Sequence, residues 1–492
     1  MKKISLICLV MSSSILHAAD DDTRFRLDQE LLQQKKQQQQ PLLQQQKQDQ
    51  LPTMVIDGEK IEVKKNSNEL GRALYIAVMQ KQWQAASIYL EHYLKLNDHD
   101  PSLVYFAQGA LQRVQGNLSQ AEHDFKQALD LQPQNAMIKL ELARLYTERQ
   151  KNNEAKQLFE QVKHQLGDTV DPTLLNIHHA IDIYLDGLKK RDAWQGSINL
   201  GTRYATNINS ATEKTTTWTT FGKDQNGNII PIQIKRGTPD PIDATAFDYE
   251  GTLSKRWSLQ ENHGLALKAF TYGRVFDGHK DFNEMTLNVN AGYSFQNQRN
   301  QILVAPVYEH RRYSNETFSN AWGGHLEWMH FLGHDKAFKL ETEIKDINNT
   351  KYSTQSGLES SIYSTFWKVL PQNWTVFTGL DFTDHRSKEK IFNQYQQQGI
   401  RFGFSKQWNT GFNATAFSSF RWRQYATQNQ VLGGERRHDF EQNYTVVLSA
   451  PRWQFYGVIP NLTYQYNNNL SNIDWLYSYD KHNVSLRLEY RF

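Results

Sequence analysis

Cysteine is almost missing from this chain: its 492 residues contain one, Cys8. Cys8 lies inside an N-terminal stretch with a basic start (Lys2, Lys3), an apolar run from Ile4 to about Leu16, and small residues Ala18 and Ala19 before Asp20 to Asp22. That order reads as a secretory leader, residues 1–19, cleaved after Ala18 or Ala19. Cys8 comes too early in it for a lipidation site. The mature chain therefore has neither a disulfide framework nor thiol chemistry. Long apolar runs are also absent beyond the leader, and mean hydropathy is −0.70. This excludes a spanning helix, which needs about 20 apolar residues. Charge of one sign is lacking too: 55 Lys and Arg against 52 Asp and Glu leave a formal +3. With export, that removes nucleic acid as a partner. Tryptophan is scarce in the first part, since eleven of the twelve lie from Trp194 onward.

What is present changes character along the chain. Residues 20–68 are rich in glutamine, with runs at Gln37 to Gln40 and Gln44 to Gln46. Such sequence buries too little apolar surface to offset its ordering entropy and reads as a flexible tether. Leu27, Leu31 and Leu42 could support a transient helix within it. From Glu69 to Lys190 the apolar period becomes helical. Ala121, Phe125 and Ala128 recur as Ala155, Phe159 and Val162, and Gly109 recurs as Ala143, each 34 residues on (155 − 121 = 34, 143 − 109 = 34). The period resembles the tetratricopeptide repeat. Gly116 and Gln150 fall at the hairpin turns, a weaker unit runs through Trp83, Ala86, Leu90 and Tyr93, and residues 172–190 form a cap.

After Arg191 the period becomes two. Met285, Leu287, Val289, Ala291, Tyr293 and Phe295 alternate with polar or small residues, as do Phe338, Leu340 and Ile344 with Lys339, Glu341, Glu343 and Lys345. Amphipathic runs of about ten residues are what a tilted strand needs to cross a bilayer. The chain ends on such a run: Val484, Leu486, Leu488, Tyr490 and Phe492 take one face, and Ser485, Arg487, Glu489 and Arg491 the other. A terminal strand of this kind closes a membrane barrel and carries the signal for the barrel-assembly machinery. Turn-forming sequence between the runs predicts about fourteen antiparallel strands over residues 191–492. Short connections near Glu261-Asn262, Asn297-Arg299, Gly333-Asp335, Pro371-Asn373, Asn409-Gly411 and Pro451 alternate with longer ones, and Thr215 to Arg236 could form an extra hairpin. The predicted fold is a helical repeat domain, residues 69–190, followed by an outer-membrane β-barrel in contact with lipid, with the repeats in the periplasm.

Catalytic and metal motifs are not found. His325 and His330 face opposite sides of a strand and cannot share a metal, and the helical pair His178-His179 diverges by about 100°. Asp384-His385 falls in an expected external loop with no nucleophile at a recognisable spacing. Gly433-Gly434 leads into Glu435-Arg436-Arg437, read as a solvated external tip rather than a phosphate loop.

Leader, repeats and barrel, with the tail Tyr477-Ser478-Tyr479-Asp480-Lys481-His482-Asn483-Val484 entering the last strand, together resemble the surface lipoprotein assembly modulators, the Slam family. The glutamine-rich leader segment departs from that pattern. The resemblance implies a translocator that exports or displays client proteins, either surface lipoproteins or a secreted haem- or iron-acquisition protein, with no cofactor and no enzymatic activity. Repeat arrays hold extended segments in a concave groove. The repeat's geometry turns Phe106, Arg113, Leu140 and Arg144 toward that groove as client-binding candidates. The alternative is an exopolysaccharide export porin with periplasmic repeats, whose lumen should be dense in acidic and aromatic residues. The mixed signs of Lys339, Glu341, Glu343 and Lys345 favour protein export.

Overall fold

The computed structural model describes residues 21–34, 66–167, 171–225, 228–389, 393–428 and 434–492. The expected leader, residues 35–65 of the expected tether, and Gly433 lie outside them.

Seven helices form the repeat domain: α2 (Ser67–Met79), α3 (Trp83–Tyr93), α4 (Pro101–Val114), α5 (Leu118–Leu131), α6 (Ala136–Glu148), α7 (Asn152–Leu166) and α8 (Pro172–Arg191). They pair as three hairpins and a cap. Asn66, Asp100 and Asn135 cap α2, α4 and α6 by accepting backbone N–H groups, which satisfies donors the helix cannot. The small positions serve close approach: a Cβ on Gly109 would lie 2.8 Å from the Phe125 ring. Each hairpin turn uses a left-handed residue, Lys81 (φ 58°), Gly116 (φ 82°) and Gln150 (φ 64°). Phe125, Phe159, Leu74 and Tyr184 are fully buried in one continuous core.

Fourteen strands close a barrel: β1 (Gln195–Ala205) and β4 (Ala244–Ser258) through β16 (Tyr479–Arg491), each antiparallel to its neighbours, with β1 pairing both β4 and β16. The extra hairpin also forms, as β2 (Thr216–Lys223) and β3 (Ile229–Arg236), outside the barrel sheet. The closing seam runs from Ser197 opposite Arg491 to Ala205 opposite Asn483, and Gly196 and Phe492 exchange backbone hydrogen bonds of 3.0 and 3.1 Å at its end. Outward side chains are apolar and exposed; Leu486 and Leu488 are 58% and 55% exposed, whereas Ser485, Arg487 and Glu489 between them are buried. This alternation is a lipid face against a polar interior.

The short turns and the seam end gather at one end of the barrel, and the repeat domain docks there. Asn153 Nδ2 donates to the carbonyls of Ser258 and Leu259 at 2.8 and 2.9 Å. Asn262 Nδ2 donates to the Arg149 carbonyl, and Glu154 accepts from the Glu261 N–H, both at 2.6 Å. Trp194 packs edge-on against Trp257 at 5.8 Å, an aromatic pair at an expected lipid–water boundary.

One element corrects the sequence reading. Residues 21–34, assigned there to the flexible tether, form a helix, α1. Its packing surface comes from strands more than 150 residues away, so a local estimate of buried apolar area misses it.

Candidate functional site

Helix α1 lies inside the barrel and meets its wall mainly through charge. At an α-helical rise its fourteen residues span about 21 Å, a large part of the roughly 25 Å apolar band of such barrels. The innermost contacts are those of Asp21 and Asp22. Tyr363 donates to Asp21 at 3.1 Å, while Arg421 and Ser419 donate to Asp22 at 2.6 and 2.7 Å. One turn on, the Arg24 guanidinium bridges Glu341 (2.5 Å) and Glu343 (2.7 Å). Arg26 pairs with Glu250 and, within the helix, with Glu30 at 2.8 Å. Lys339 donates to Asp28 at 2.5 Å. Trp367 donates to Gln29 at 2.7 Å.

The apolar part of α1 is small but placed. Phe25 packs against Phe377 and Phe417 (5.4 and 5.9 Å between ring centroids), with the Arg401 guanidinium 4.2 Å over its face. Leu27 and Leu31 are buried. At the far end the Gln34 amide donates to the carbonyls of Phe492 (2.9 Å) and Gly196 (3.3 Å). Those two residues close the seam.

A second charged cluster crosses the seam from within. Arg487 on β16 reaches over β1 to Asp248 (2.8 Å) and Glu250 (2.6 Å) on β4, and Arg203 on β1 meets Asp248 at 3.0 Å. Glu250 also takes Arg26, so α1 joins this cluster. Charges so far from bulk water persist only when paired, and here helix and wall supply each other's partners.

The sequence-predicted residues fall as follows. Val484, Leu486, Leu488 and Tyr490 face outward on β16, and Phe492, just past its end, is also exposed. Phe106 and Leu140 are packed into the repeat core, 3% and 2% exposed. Arg113 and Arg144 are turned onto Glu141 (2.7 and 2.6 Å), and Arg113 also pairs with Glu148 at 2.5 Å. Arg113 ties α4 to α6 through Glu141 and Glu148, Arg144 meets Glu141 one turn back on its own helix, Leu140 packs in the core, and Phe106 keeps one edge on a hollow between the first helices. Burial raises the Glu141 carboxyl, but Arg144 and Arg113 outweigh it and hold it below its ordinary value.

His325 and His330 do face opposite sides: His325 is buried in the lumen, while His330 Nδ1 meets Asn300 at 2.8 Å. The partners of His325 come from the next strand. His325, Glu341 and Glu343 bring ligand atoms within 4.8 Å of one another, a donor set able to hold a divalent cation. The Arg24 guanidinium sits on both of those carboxylates. Asp384 and His385 belong to strand β11 (Trp374–Ser387) and not to a loop. His385 points inward to Glu359 at 3.5 Å and stacks on Tyr395, and Asp384 pairs with Arg386. Arg437, expected at a solvated tip, is buried against Asp439 and lies 3.4 Å over the Tyr477 ring.

Repeats docked on the short-turn end of a lipid-facing, fourteen-stranded barrel define a class: an outer-membrane barrel coupled to a helical repeat domain. Residues 194–492 match the family model described as surface lipoprotein assembly modifier, and residues 56–159 match that of its N-terminal tetratricopeptide repeats. The chain belongs to the surface lipoprotein assembly modifier family. It is similar to a hemophilin secretion modulator of Acinetobacter baumannii, 49% identical with all of both chains covered. It is also similar to surface lipoprotein assembly modifier 1 of Neisseria meningitidis serogroup B, 27% identical over 89% of this chain and 85% of that one.

Proposed function

We propose that this protein moves client proteins of the hemophilin kind, or related surface lipoproteins, across the outer membrane. The repeat domain receives the client in the periplasm and the barrel gives it passage. The observation that carries this is the end-to-end likeness to the Acinetobacter modulator, which spans both domains. Short turns face the periplasm in outer-membrane barrels, and the repeats dock at that end, which supports the periplasmic placement. The docking surface is the hollow between the first helices of adjacent hairpins, where Tyr75, Leu103, Met137 and Ile138 border Phe106 opposite the polar side chains of Asp100, Ser102, Gln132 and Asn135, a seat of mixed polarity for an extended segment. The outward row of β16 serves insertion by the barrel-assembly machinery, and no cofactor or catalytic step is involved.

The test is to remove residues 69–190, keep leader and barrel, and measure surface client by protease shaving of intact cells. Surface client should fall to the level of cells lacking the whole protein. Export equal to wild type overturns the docking role. Full export in cells lacking the protein overturns the function.

A further inference from the structure

We propose that the lumen holds a peptide-binding site whose resident ligand is this chain's own helix α1, and that while the helix is seated the barrel is shut. The site takes a short helix with a pair of acids at its inner end and two arginines spaced by one residue. Its wall carries the complementary groups in matching order: Arg421 with Ser419 for Asp22, Glu341 with Glu343 for Arg24, Glu250 for Arg26, and Lys339 for Asp28. These partners come from strands on several sides of the barrel, so α1 is clasped around its circumference and does not lie along one wall.

Two features make this a reversible ligand and not a fixed part of the wall. Among the described residues, the wall contacts of Asp21, Asp22, Arg24, Arg26, Asp28 and Gln29 run side chain to side chain, whereas the Gln34 amide meets the seam carbonyls. No backbone-to-backbone hydrogen bond joins α1 to the barrel sheet among the described residues. Residues 35–65 then connect the helix to α2. That is 31 residues, which at about 3.3 Å each reach far enough for α1 to leave the lumen with the repeat domain still docked. Departure would uncover three wall carboxylates, Glu250, Glu341 and Glu343, and several cations at once, at a cost only an incoming segment with its own charges can offset. A client using the lumen must therefore displace α1. That last step rests on the export reading; the site itself does not.

The experiment uses the purified full-length protein in planar bilayers. A variant lacking residues 21–34, and separately Arg24→Glu with Arg26→Glu, should show conductance steps that wild type lacks. A synthetic peptide of residues 20–34 should abolish the steps in the deletion variant, and the same peptide carrying both charge reversals should not. Heat-modifiable migration verifies that each variant has folded, and the double substitution keeps the chain length intact. Wild-type and deletion channels of equal conductance, or no block by the native peptide, overturn the site.

A second arm tests passage in cells with Asp22→Cys plus Ser419→Cys, whose side chains are in contact in a chain whose one native cysteine is in the leader. Oxidation should stop surface delivery of client and a reductant should restore it. Undiminished delivery with α1 fully crosslinked overturns the need for it to leave. If wild-type cells deliver no client, the export reading fails instead, and the bilayer result still decides the site.

Discussion

The two halves of this molecule bury opposite chemistry. In the repeat domain the inside is apolar: Phe125, Phe159, Leu74 and Ile181 are fully covered, and the charges sit at the borders between hairpins. In the barrel the inside is charged, with Arg421, Glu343, Asp248 and Arg487 among the most covered residues, and the leucines face out. One rule produces both. Each surface matches its solvent, water for the repeats and hydrocarbon for the barrel, and what remains goes inside. Helices α5 and α1 show the difference at close range. The first is held mainly by the apolar packing of Phe125 and Ala128, with Glu122 pairing Lys151 and Arg149 at its border. The second is held by acids and arginines that each need a named partner. Apolar packing tolerates many partners, whereas a buried ion pair specifies one.

The largest expected effect comes at the barrel's closure. Deleting Tyr490 to Phe492 removes the Gly196–Phe492 backbone pair and two outward aromatics. Most heat-modifiable, membrane-inserted protein should be lost while the repeat helices remain soluble and folded; normal insertion refutes this. Next, Phe125→Ala leaves a cavity beside Gly109 and should cost the repeat domain about 3–5 kcal/mol, read as a lower melting midpoint of its helical signal with barrel insertion unchanged. The inverse change sharpens the contrast. Leu380→Arg, on the exposed mid-strand face of β11, places a charge in lipid and should destabilise the barrel by about 2–4 kcal/mol, measured by denaturant titration in bilayers. One residue away, on the inner face, Asp381 is a native charge, paired with Arg401 of the next strand at 2.7 Å.

The smallest effect concerns the border charges of the repeats. Arg113→Glu sets a third carboxylate beside Glu141 and Glu148 and should cost about 1–3 kcal/mol, below the range for a fully buried pair because these side chains are partly exposed. Its pH dependence has a definite sign. The Glu141 carboxyl is held below its unfolded value by Arg144 and Arg113 after burial has raised it, so its stabilisation is full above the unfolded pKa and disappears as pH falls through the folded one. The helical signal of wild type should weaken on acidification below the ordinary glutamate range, and Glu141→Gln should flatten that response. An unchanged profile in Glu141→Gln refutes the assignment.

Legibility differed by element. Strand positions and the amphipathic tail were readable because period-two alternation is a local property; the six short turns and the extra hairpin at Thr215 to Arg236 were found for the same reason. The 34-residue spacing likewise placed Gly116 and Gln150 at hairpin turns. Arg113 is readable as a repeat position but not as the partner of Glu141 and Glu148, since which charge meets which across hairpins depends on how they stack. Asp384, His385 and Arg437 read as loop residues in the sequence because their strands extend past the last apolar residue. Beyond the lipid the outward positions no longer need to be apolar, and the alternation fades.

The two periodicities and the inside-out sorting of polar and apolar side chains are written in the chain itself, because each rests on neighbours within one turn or one strand. Only the tertiary structure decided that residues 21–34 are a helix and that its charges are answered. The partners of Arg24, Arg26 and Asp28 lie on strands distant in sequence, and they exist as a set only once the barrel has closed around them.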